Sequence, residues 1–275
     1  MITVQLTNGF GNNIFQYAAA RLLAEYHGQE LSVLPPSPDY YAIQDLEQLG
    51  VSFGGKPTST ALLVGDQNYL QAYDSAYKNQ NMCLQGYFED YRYYYSFISK
   101  IKTWFPKPDF RTDNSLVIHI RCGDRLLQKK AFLNLLSADK YVSAIQQFEF
   151  NKLHIVTDMP KWAPITETEY RDMWFHNNHP GSEHASPKEA VAYYNRLVTA
   201  LAPFNPERIP RRVGEDFEFI RKFQNILFEH GTMSWWASVL SNAQKVGVYG
   251  PWRPWKGLKN KNLSQIPMDG WFRWE

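Results

Sequence analysis

Apolar and polar residues alternate at the start of the chain, and the pattern then changes to a helical spacing. Val4 and Leu6 alternate with polar neighbours, which predicts a strand. After Gly9 and Gly11, apolar residues recur every three or four positions as far as Gly28, which predicts a helix. The segment "ELSVLPP" then predicts a second strand that ends at two prolines. The N-terminal segment is therefore typical of a strand, helix and strand unit.

The hydrophobic pattern weakens over residues 36–81, which predicts loops and short helices there. A strand that ends near Gly86 and a helix over about residues 90–105 follow. The segment "PKPDFRTDN" has two prolines and mixed charges, which makes it the best candidate for a linker. We therefore predict two α/β domains, an N-terminal domain over residues 1–110 and a C-terminal domain over residues 111–275.

Strands and helices alternate again after the linker. The segments "SLVIHI", "KLHIVTD", "ILFEHG" and "KVGVYGP" predict strands, and "SADKYVSAIQQFEF", "SPKEAVAYYNRLVTAL", "EDFEFIRKFQN" and "TMSWWASVLSNA" predict helices. We expect Ser137 or Asp139 to cap the first of these helices, and a loop over residues 166–186. Such alternation is typical of α/β proteins with parallel sheets, which bind ligands at the carboxyl ends of the strands.

Composition narrows the class of protein. The chain has 29 Lys and Arg residues against 27 Asp and Glu residues, so it has no general positive field to attract nucleic acid or anionic lipid. Its two cysteines, Cys83 and Cys122, form no metal or redox motif, which is the usual state of a cytoplasmic protein. We find neither a signal peptide nor a run of roughly 20 apolar residues. The sequence predicts a soluble cytoplasmic protein.

The glycine loop that opens the first helix does not fit two common nucleotide motifs. A dinucleotide fingerprint requires a glycine where Ile14 stands and an acidic residue at the end of the second strand, so NAD binding is disfavoured. A Walker A loop requires a Lys-Ser or Lys-Thr pair that is absent here. Two interpretations stay open. Backbone N–H groups near Gly11 and the side chains of Asn12 and Asn13 could hold a phosphate, or the asparagines could cap the helix.

The segment "VIHIRCGDR" places His119 and Arg121 on the same side of a strand end. Arg121 could bind a diphosphate with its planar guanidinium group and stabilise the charge that develops when a sugar nucleotide is cleaved. Asp124 could orient Arg121 or act as a base toward a hydroxyl. The alternative is an ordinary ion pair between Arg121 and Asp124 at a strand end.

Two further strand ends carry polar side chains. Asp158 could accept hydrogen bonds from guanine, or it could cap the segment that follows. Thr232 and Ser234 open a helix and could bind an anion, or Thr232 could cap that helix while the adjacent tryptophans fill the core. In a doubly wound sheet these strand ends can converge on one crevice.

Four segments, in the same order along the chain, resemble the α-1,2-fucosyltransferases of glycosyltransferase family 11. The segment "NGFGNNIFQY" resembles the family's G-G-L-G-N-Q-M-F-Q-Y, and "LQGYFEDYRYY" resembles G-Y-F-Q-S-x-x-Y-F. The segment "VIHIRCGD" resembles H-x-R-R-x-D, and "HGTMSWWASVLS" resembles S-T-F-S-W-W-A-x-x-L. The resemblance implies a GT-B-like α/β fold, in which two Rossmann-like domains face a cleft.

The resemblance also implies an inverting transferase that needs no metal or other cofactor. GDP-fucose or a related nucleotide sugar would be the donor, and an oligosaccharide or glycan would be the acceptor. By position, Arg121 would bind the β-phosphate, while His119 and Asp158 would hold guanine. Asn12 would reach the phosphates from the opposite half, with Thr232 and Ser234 beside it.

One departure from the family pattern concerns charge. The second arginine of H-x-R-R-x-D is Cys122 here, which removes a positive charge from the motif or simply places a small apolar residue in the core. We predict a fucosyltransferase-like enzyme, with Arg121 and Asp124 as catalytic residues. The alternatives are a transferase that uses another nucleotide sugar and a glycan- or nucleotide-binding protein without catalysis.

Overall fold

The computed structural model describes residues 1–55, 61–129, 135–176, 185–229, 231–250 and 271–274, which form two parallel sheets. The first sheet has the order β2-β1-β4-β3. Its strands are β1 Ile2–Gln5, β2 Leu31–Leu34, β3 Leu62–Val64 and β4 Met82–Leu84. Because β2 and β4 lie on opposite sides of β1, the loops after β1 and β4 flank a point where the strand order reverses.

The second sheet has the order β6-β5-β7-β8-β9, again with parallel neighbours. Its strands are β5 Ser115–Ile120, β6 Lys152–Thr157, β7 Asn225–Phe228, β8 Lys245–Tyr249 and β9 Trp271–Trp274. This is the flavodoxin-like order, in which ligands bind between the first and third strands. The α/β class predicted from the sequence is therefore confirmed, and the predicted boundary between residues 110 and 111 stays a prediction.

Helices pack on the faces of both sheets. In the described part of the chain they are α1 Phe10–His27, α2 Ile43–Gln48, α3 Ile98–Lys102, α4 Gly123–Leu127, α5 Ala138–Ile145, α6 Glu167–His176, α7 Pro187–Leu201, α8 Val213–Arg221 and α9 Thr232–Val239. The helix α1 ends at Gly28, whose φ of 63° is left-handed and suits a residue without a side chain. Proline opens α7, where its missing N–H has no helical partner to lose.

The structure corrects the predicted helix over residues 90–105. That segment contains two short 3-10 turns, Tyr91–Tyr93 and Tyr95–Phe97, before the five residues of α3. The buried Tyr94 side chain explains the difference, because its hydroxyl donates to the backbone carbonyl of Phe88 at 2.7 Å. Tertiary contacts of the aromatic side chains therefore override the local helical pattern.

Two other local predictions need correction. The predicted loop over residues 166–186 contains α6, and residues 177–184 lie outside the described residues. Ser137 occupies the residue before α5, but its side chain makes no capping hydrogen bond, and Asp139 lies within the helix. The sequence pattern also left out β3 and β9, both of which are edge strands of their sheets.

A continuous apolar cluster joins the two sheets. It includes Val4 of β1, Phe15 of α1, Trp236 of α9 and Phe228 of β7. A second apolar cluster, with Ile118 of β5, covers the opposite face of the second sheet. Alternate residues of the second sheet thus point into different cores, as the pleat requires. Among the described helices, none is long and apolar enough to cross a membrane.

Candidate functional site

The carboxyl ends of the two sheets meet where α1 and α9 touch. The helix α1 follows β1, and α9 follows β7. Each begins after a glycine with positive φ, 104° at Gly9 and 147° at Gly231, and neither helix has a side-chain cap. The alternative interpretation of the loop, in which its asparagines cap α1, is therefore wrong. The first-turn N–H groups of both helices lack acceptors within their helix and give each end a partial positive charge.

Gly11 brings the two helices into backbone contact. A β-carbon at position 11 would lie 2.2 Å from the backbone nitrogen of Met233 and 2.4 Å from Oγ1 of Thr232. Only a glycine fits at this separation. Gly11 was predicted to contact the donor, and the structure places it, buried, in the contact between the halves.

Asn12 and Thr232 lie beside this contact. The Thr232 hydroxyl donates to Oδ1 of Asn12 at 2.8 Å. This bond turns the Asn12 amide NH₂ away from Thr232, and within the described residues that group has no acceptor. The structure brings Asn12 and Thr232 together, while their predicted contact with a donor stays a prediction. Thr232 is the first residue of α9 and caps nothing.

Asn13 has a different role from its neighbour. Its amide donates to the carbonyl of Thr7 at 2.6 Å, and the side chain is buried. Gln16 lies one turn further on, accepts from the backbone N–H of Thr7 at 3.0 Å and donates to the carbonyl of Gly86 at 2.8 Å. These amides join the loop after β1 to the loop after β4. Asn13 was expected to be a phosphate donor, and its amide is already used within the fold.

Arg121 and Asp124 form a two-point ion pair just beyond β5. Nε of Arg121 donates to Oδ1 of Asp124 at 3.2 Å, and Nη2 donates to Oδ2 at 3.1 Å. The Arg121 side chain is 42% exposed and that of Asp124 is 35% exposed, so the pair is accessible from solvent. A planar guanidinium fixed along one edge still presents N–H groups on its other edge. The pair is suited to hold an anion.

Asp158 supports the loop that carries Arg121. Its Oδ1 accepts hydrogen bonds from the backbone N–H groups of Cys122 and Gly123, each at 2.8 Å. The surrounding protein raises the pKa of the Asp158 carboxyl, and the two N–H groups oppose that shift. Gly123 is required here because a β-carbon would lie 2.9 Å from Cγ of Asp158. Asp158 therefore holds the first turn of α4 in place from the neighbouring strand.

His119 and Ser234 bind each other. Nδ1 of His119 and the Ser234 hydroxyl share a short hydrogen bond, and both residues are buried. Burial lowers the pKa of His119 to about 3, and the charges of Arg121 and Arg125 act in the same direction. The imidazole is therefore neutral at pH 7. The structure brings these two predicted donor residues together, while their contact with guanine or phosphate stays a prediction.

Glu229 and Arg125 were not predicted from the sequence as site residues. Glu229 follows β7 and is fully buried, and Nη1 of Arg125 lies 3.2 Å from its Oε1. Burial raises the pKa of Glu229, whereas Arg125 and the Tyr141 hydroxyl act in the opposite direction. Arg125 thus adds a cation one helical turn from Arg121. A signal was present in the sequence, because an acidic residue ends the apolar strand "ILFE".

Cys122 stands where the family motif has its second arginine. The residue is fully buried and belongs to the apolar cluster on the far face of the second sheet. The alternative that Cys122 fills the core is therefore confirmed. His230, which follows β7 in the segment "ILFEHG", lies outside the described residues. Within the described ranges, no group of three or more His, Cys, Asp or Glu side chains is placed to hold a metal ion.

Comparison with known proteins gives a limited result. No protein-family model matches the chain, and no curated protein sequence matches it. A NodZ α-1,6-fucosyltransferase crystal soaked with GDP-fucose aligns at 12% identity and a TM-score of 0.41, over 89% of this chain and 93% of that one. Fucosyltransferase NodZ from Bradyrhizobium aligns at 10% identity and a TM-score of 0.37, over 89% and 94%. At these scores the function has to be argued from this chain's own residues.

Proposed function

We propose that the chain is an inverting glycosyltransferase that moves fucose from GDP-fucose to a hydroxyl group of a glycan. The observation that carries the proposal is the accessible guanidinium of Arg121, fixed by Asp124 at the strand-order reversal of the second sheet. Doubly wound sheets bind their ligands at this position. The choice of GDP-fucose and an α-1,2 linkage rests on the resemblance of the four segments to family 11.

Arg121 would stabilise the leaving group. When the bond between the sugar C1 and the β-phosphate oxygen breaks, negative charge collects on the diphosphate, and a preorganised cation lowers the energy of that state. Asp124 keeps both of its oxygens on Arg121, so we assign it to orienting the arginine rather than to removing a proton. Arg125 adds a second positive charge nearby and is itself oriented by Glu229.

The opposite wall of the site would also contact the diphosphate. The Asn12 amide NH₂ and the unpaired N–H groups that open α1 and α9 are donors of the kind that bind phosphate. In this proposal charge stabilisation comes from guanidinium and N–H groups, so no metal is required. The two cysteines are unpaired, which fits a reducing compartment and a cytoplasmic enzyme.

Nucleotide binding is the first test. We expect GDP to raise the melting temperature of the purified chain more than UDP or CDP does. The substitution Arg121→Ala should weaken GDP binding roughly 100-fold, since it removes a charge-assisted fork. Arg121→Lys should bind with intermediate strength because lysine keeps the charge and loses the planar geometry. Arg171→Ala is the matched control, because it removes a 61% exposed arginine of α6 whose ion-pair partner is Glu167.

The same measurements separate the alternatives. Stabilisation by UDP or CDP alone would replace GDP-fucose with another nucleotide sugar. GDP binding that depends on Arg121, without release of GDP from GDP-fucose in the presence of any saccharide acceptor, would favour a nucleotide-binding protein without catalysis. NMR of the product would report the linkage, and a bond other than α-1,2 would overturn that part of the proposal alone.

A further inference from the structure

The loop after β4 carries an acidic side chain that the proposed chemistry has not used. Glu89 is 8% exposed. Among the described residues, its carboxyl takes part in no hydrogen bond or ion pair. By contrast, its neighbour Asp90 is paired through both oxygens with Arg92. A buried carboxyl without a partner is costly and therefore unusual.

The position of Glu89 follows from the first sheet. The strand β4 pairs with β1, and Gln16 joins the loops after the two strands by bonding to Thr7 and to the carbonyl of Gly86. The loop after β1 leads into α1, whose first turn touches the first turn of α9 at Asn12 and Thr232. Glu89 therefore lies in the loop at the carboxyl end of β4, as Arg121 lies at the carboxyl end of β5 in the second sheet.

The backbone next to Glu89 is held in an unfavourable conformation. Phe88 has a φ of 54°, which is rare for a residue with a bulky side chain, and its ring is fully buried. Oδ1 of Asp66 accepts from the N–H of Phe88 at 2.8 Å, and Oδ2 accepts from that of Tyr87 at 3.1 Å. Local strain that the surrounding structure enforces is typical of functional sites. Here Asp66 holds the two backbone positions that precede Glu89.

The charges around Glu89 favour its proton-accepting role at neutral pH. Burial raises the pKa of Glu89 to about 7, and the negative charge of Asp66 acts in the same direction. The other charged groups of this loop, Asp90 and Arg92, neutralise each other, and Tyr93 donates its hydroxyl to the backbone carbonyl of Asp66 at 2.7 Å. A carboxyl that titrates near the working pH is well suited to take up and release a proton.

We propose that Glu89 is the general base that accepts the proton of the acceptor hydroxyl. The inference rests on the proposed transferase function. As the acceptor oxygen bonds to C1 of the sugar, its proton passes to the Glu89 carboxylate, the bond from C1 to the β-phosphate oxygen breaks, and the electron pair leaves with GDP. The proton is then released to water. This step needs base and diphosphate on opposite sides of C1, and Glu89 and Arg121 follow strands of different sheets.

The ring of Tyr87 adds a surface for the acceptor. Tyr87 is 45% exposed although its backbone is fixed by Asp66, so its ring faces solvent two residues before Glu89. An aromatic ring with one free face can stack against the apolar side of a sugar. The acceptor hydroxyl would then lie between a rigid ring and the base.

The decisive experiment compares two kinds of acceptor. Glu89→Gln is expected to reduce GDP release from GDP-fucose about 100- to 10,000-fold with water or lactose as acceptor, while its GDP-fucose affinity stays within about twofold of that of the unmodified chain. With azide as acceptor, which is already an anion and has no proton to lose, the variant should keep the rate of the unmodified chain. The control is Glu47→Gln, which removes an exposed carboxyl from α2 in the same half of the chain.

The pH dependence gives a second readout. Activity of the unmodified chain toward a hydroxyl acceptor should rise as the pH increases through about 7, because the base must be deprotonated. The Glu89→Gln variant should lose this rise. Equal loss of transfer to azide and to lactose would overturn the assignment and leave Glu89 a structural role, as would a variant with unchanged activity and pH profile. Failure of the unmodified chain to bind GDP-fucose would instead overturn the proposed function, and the base assignment with it.

Discussion

The loops at the carboxyl ends of the two sheets differ in whether their charged side chains have partners. After β5 and β7, nearly every charged group has a partner, as in the pairs of Arg121 with Asp124 and Arg125 with Glu229. After β4, Glu89 is buried and has no hydrogen-bond or ion-pair partner among the described residues. Burial raises its pKa to about 7. Carboxylates that pair with Arg121 and Arg125 hold these two cations in a fixed geometry, which suits the binding of an anion. An unpaired acid whose pKa is near 7 gains or loses its negative charge near neutral pH, which suits the transfer of a proton.

The largest expected effect comes from breaking a pair in the second sheet. Glu229→Ala should reduce the free energy of unfolding by about 3 to 5 kcal/mol, because it leaves Arg125 without its buried partner and opens a cavity. Urea unfolding would measure the change. Glu229→Gln keeps the shape and one acceptor, so it should cost less. A loss below about 1 kcal/mol for the alanine variant would mean that the pair does not organise this end of the sheet.

The contact between the halves should be almost as sensitive. Gly11→Ala is expected to reduce the free energy of unfolding by about 2 to 3 kcal/mol, since its β-carbon would meet the backbone of Met233. Gly54→Ala is the control, because a β-carbon there has no neighbour within 4 Å and the φ of Gly54 is not positive. Equal unfolding free energies for the two variants would contradict this account of the contact.

Two roles of Asp158, support of the loop that carries Arg121 and contact with guanine, can be tested separately. Asp158→Ala should weaken GDP binding roughly 30-fold, because the loop that carries Arg121 loses the acceptor of two N–H groups. Asp158→Asn keeps an oxygen for those groups. If Asp158 only supports the loop, calorimetry should find GDP affinity close to that of the unmodified chain in the asparagine variant. A loss as large as that of alanine would instead favour the predicted contact with guanine.

The smallest expected effect concerns the protonation of Glu89. In the unfolded chain Glu89 has an ordinary pKa of 4.5, and in the folded chain its pKa is about 7, so the folded state binds the proton more tightly. Stability should therefore fall as the pH rises from about 4.5 to 7. Relative to the unmodified chain, Glu89→Gln should gain about 1 to 2 kcal/mol of unfolding free energy between pH 5 and pH 6.5. Urea unfolding at several pH values would measure this difference in stability between the two chains. A difference that does not change with pH would contradict the raised pKa of Glu89.

Much of the fold could be predicted from local pattern. The strand, helix and strand unit at the N-terminus and the strand β5 have clear periodicity, and the structure confirms them. The helix α6 was missed because its residues are mostly polar. The 3-10 turns over residues 91–97 were read as a helix because tyrosines bury their rings by tertiary contact, which spacing along the chain does not reveal.

The site was predicted less completely than the fold. The strand-end positions of Arg121 and Asp158 could be read from the sequence, because parallel strands place their loops at a common edge. The partners of such residues could not, since Asp158 bonds to Gly123 and Ser234 to His119 across long stretches of chain. Glu89 was not predicted as a site residue. It differs from other acidic residues in being buried and in having no cationic partner among the described residues, and the local sequence reveals neither property.

The close approach at Gly11 limits how the two sheets can move. A contact between helix backbones leaves little room to slide, so a rotation of one sheet relative to the other has to turn about this point. Asn12 and Thr232, which lie at the pivot, would keep their separation during such a rotation. A ligand held between Asn12 and Thr232 would therefore lie at the pivot, where its surroundings change least when the sheets turn.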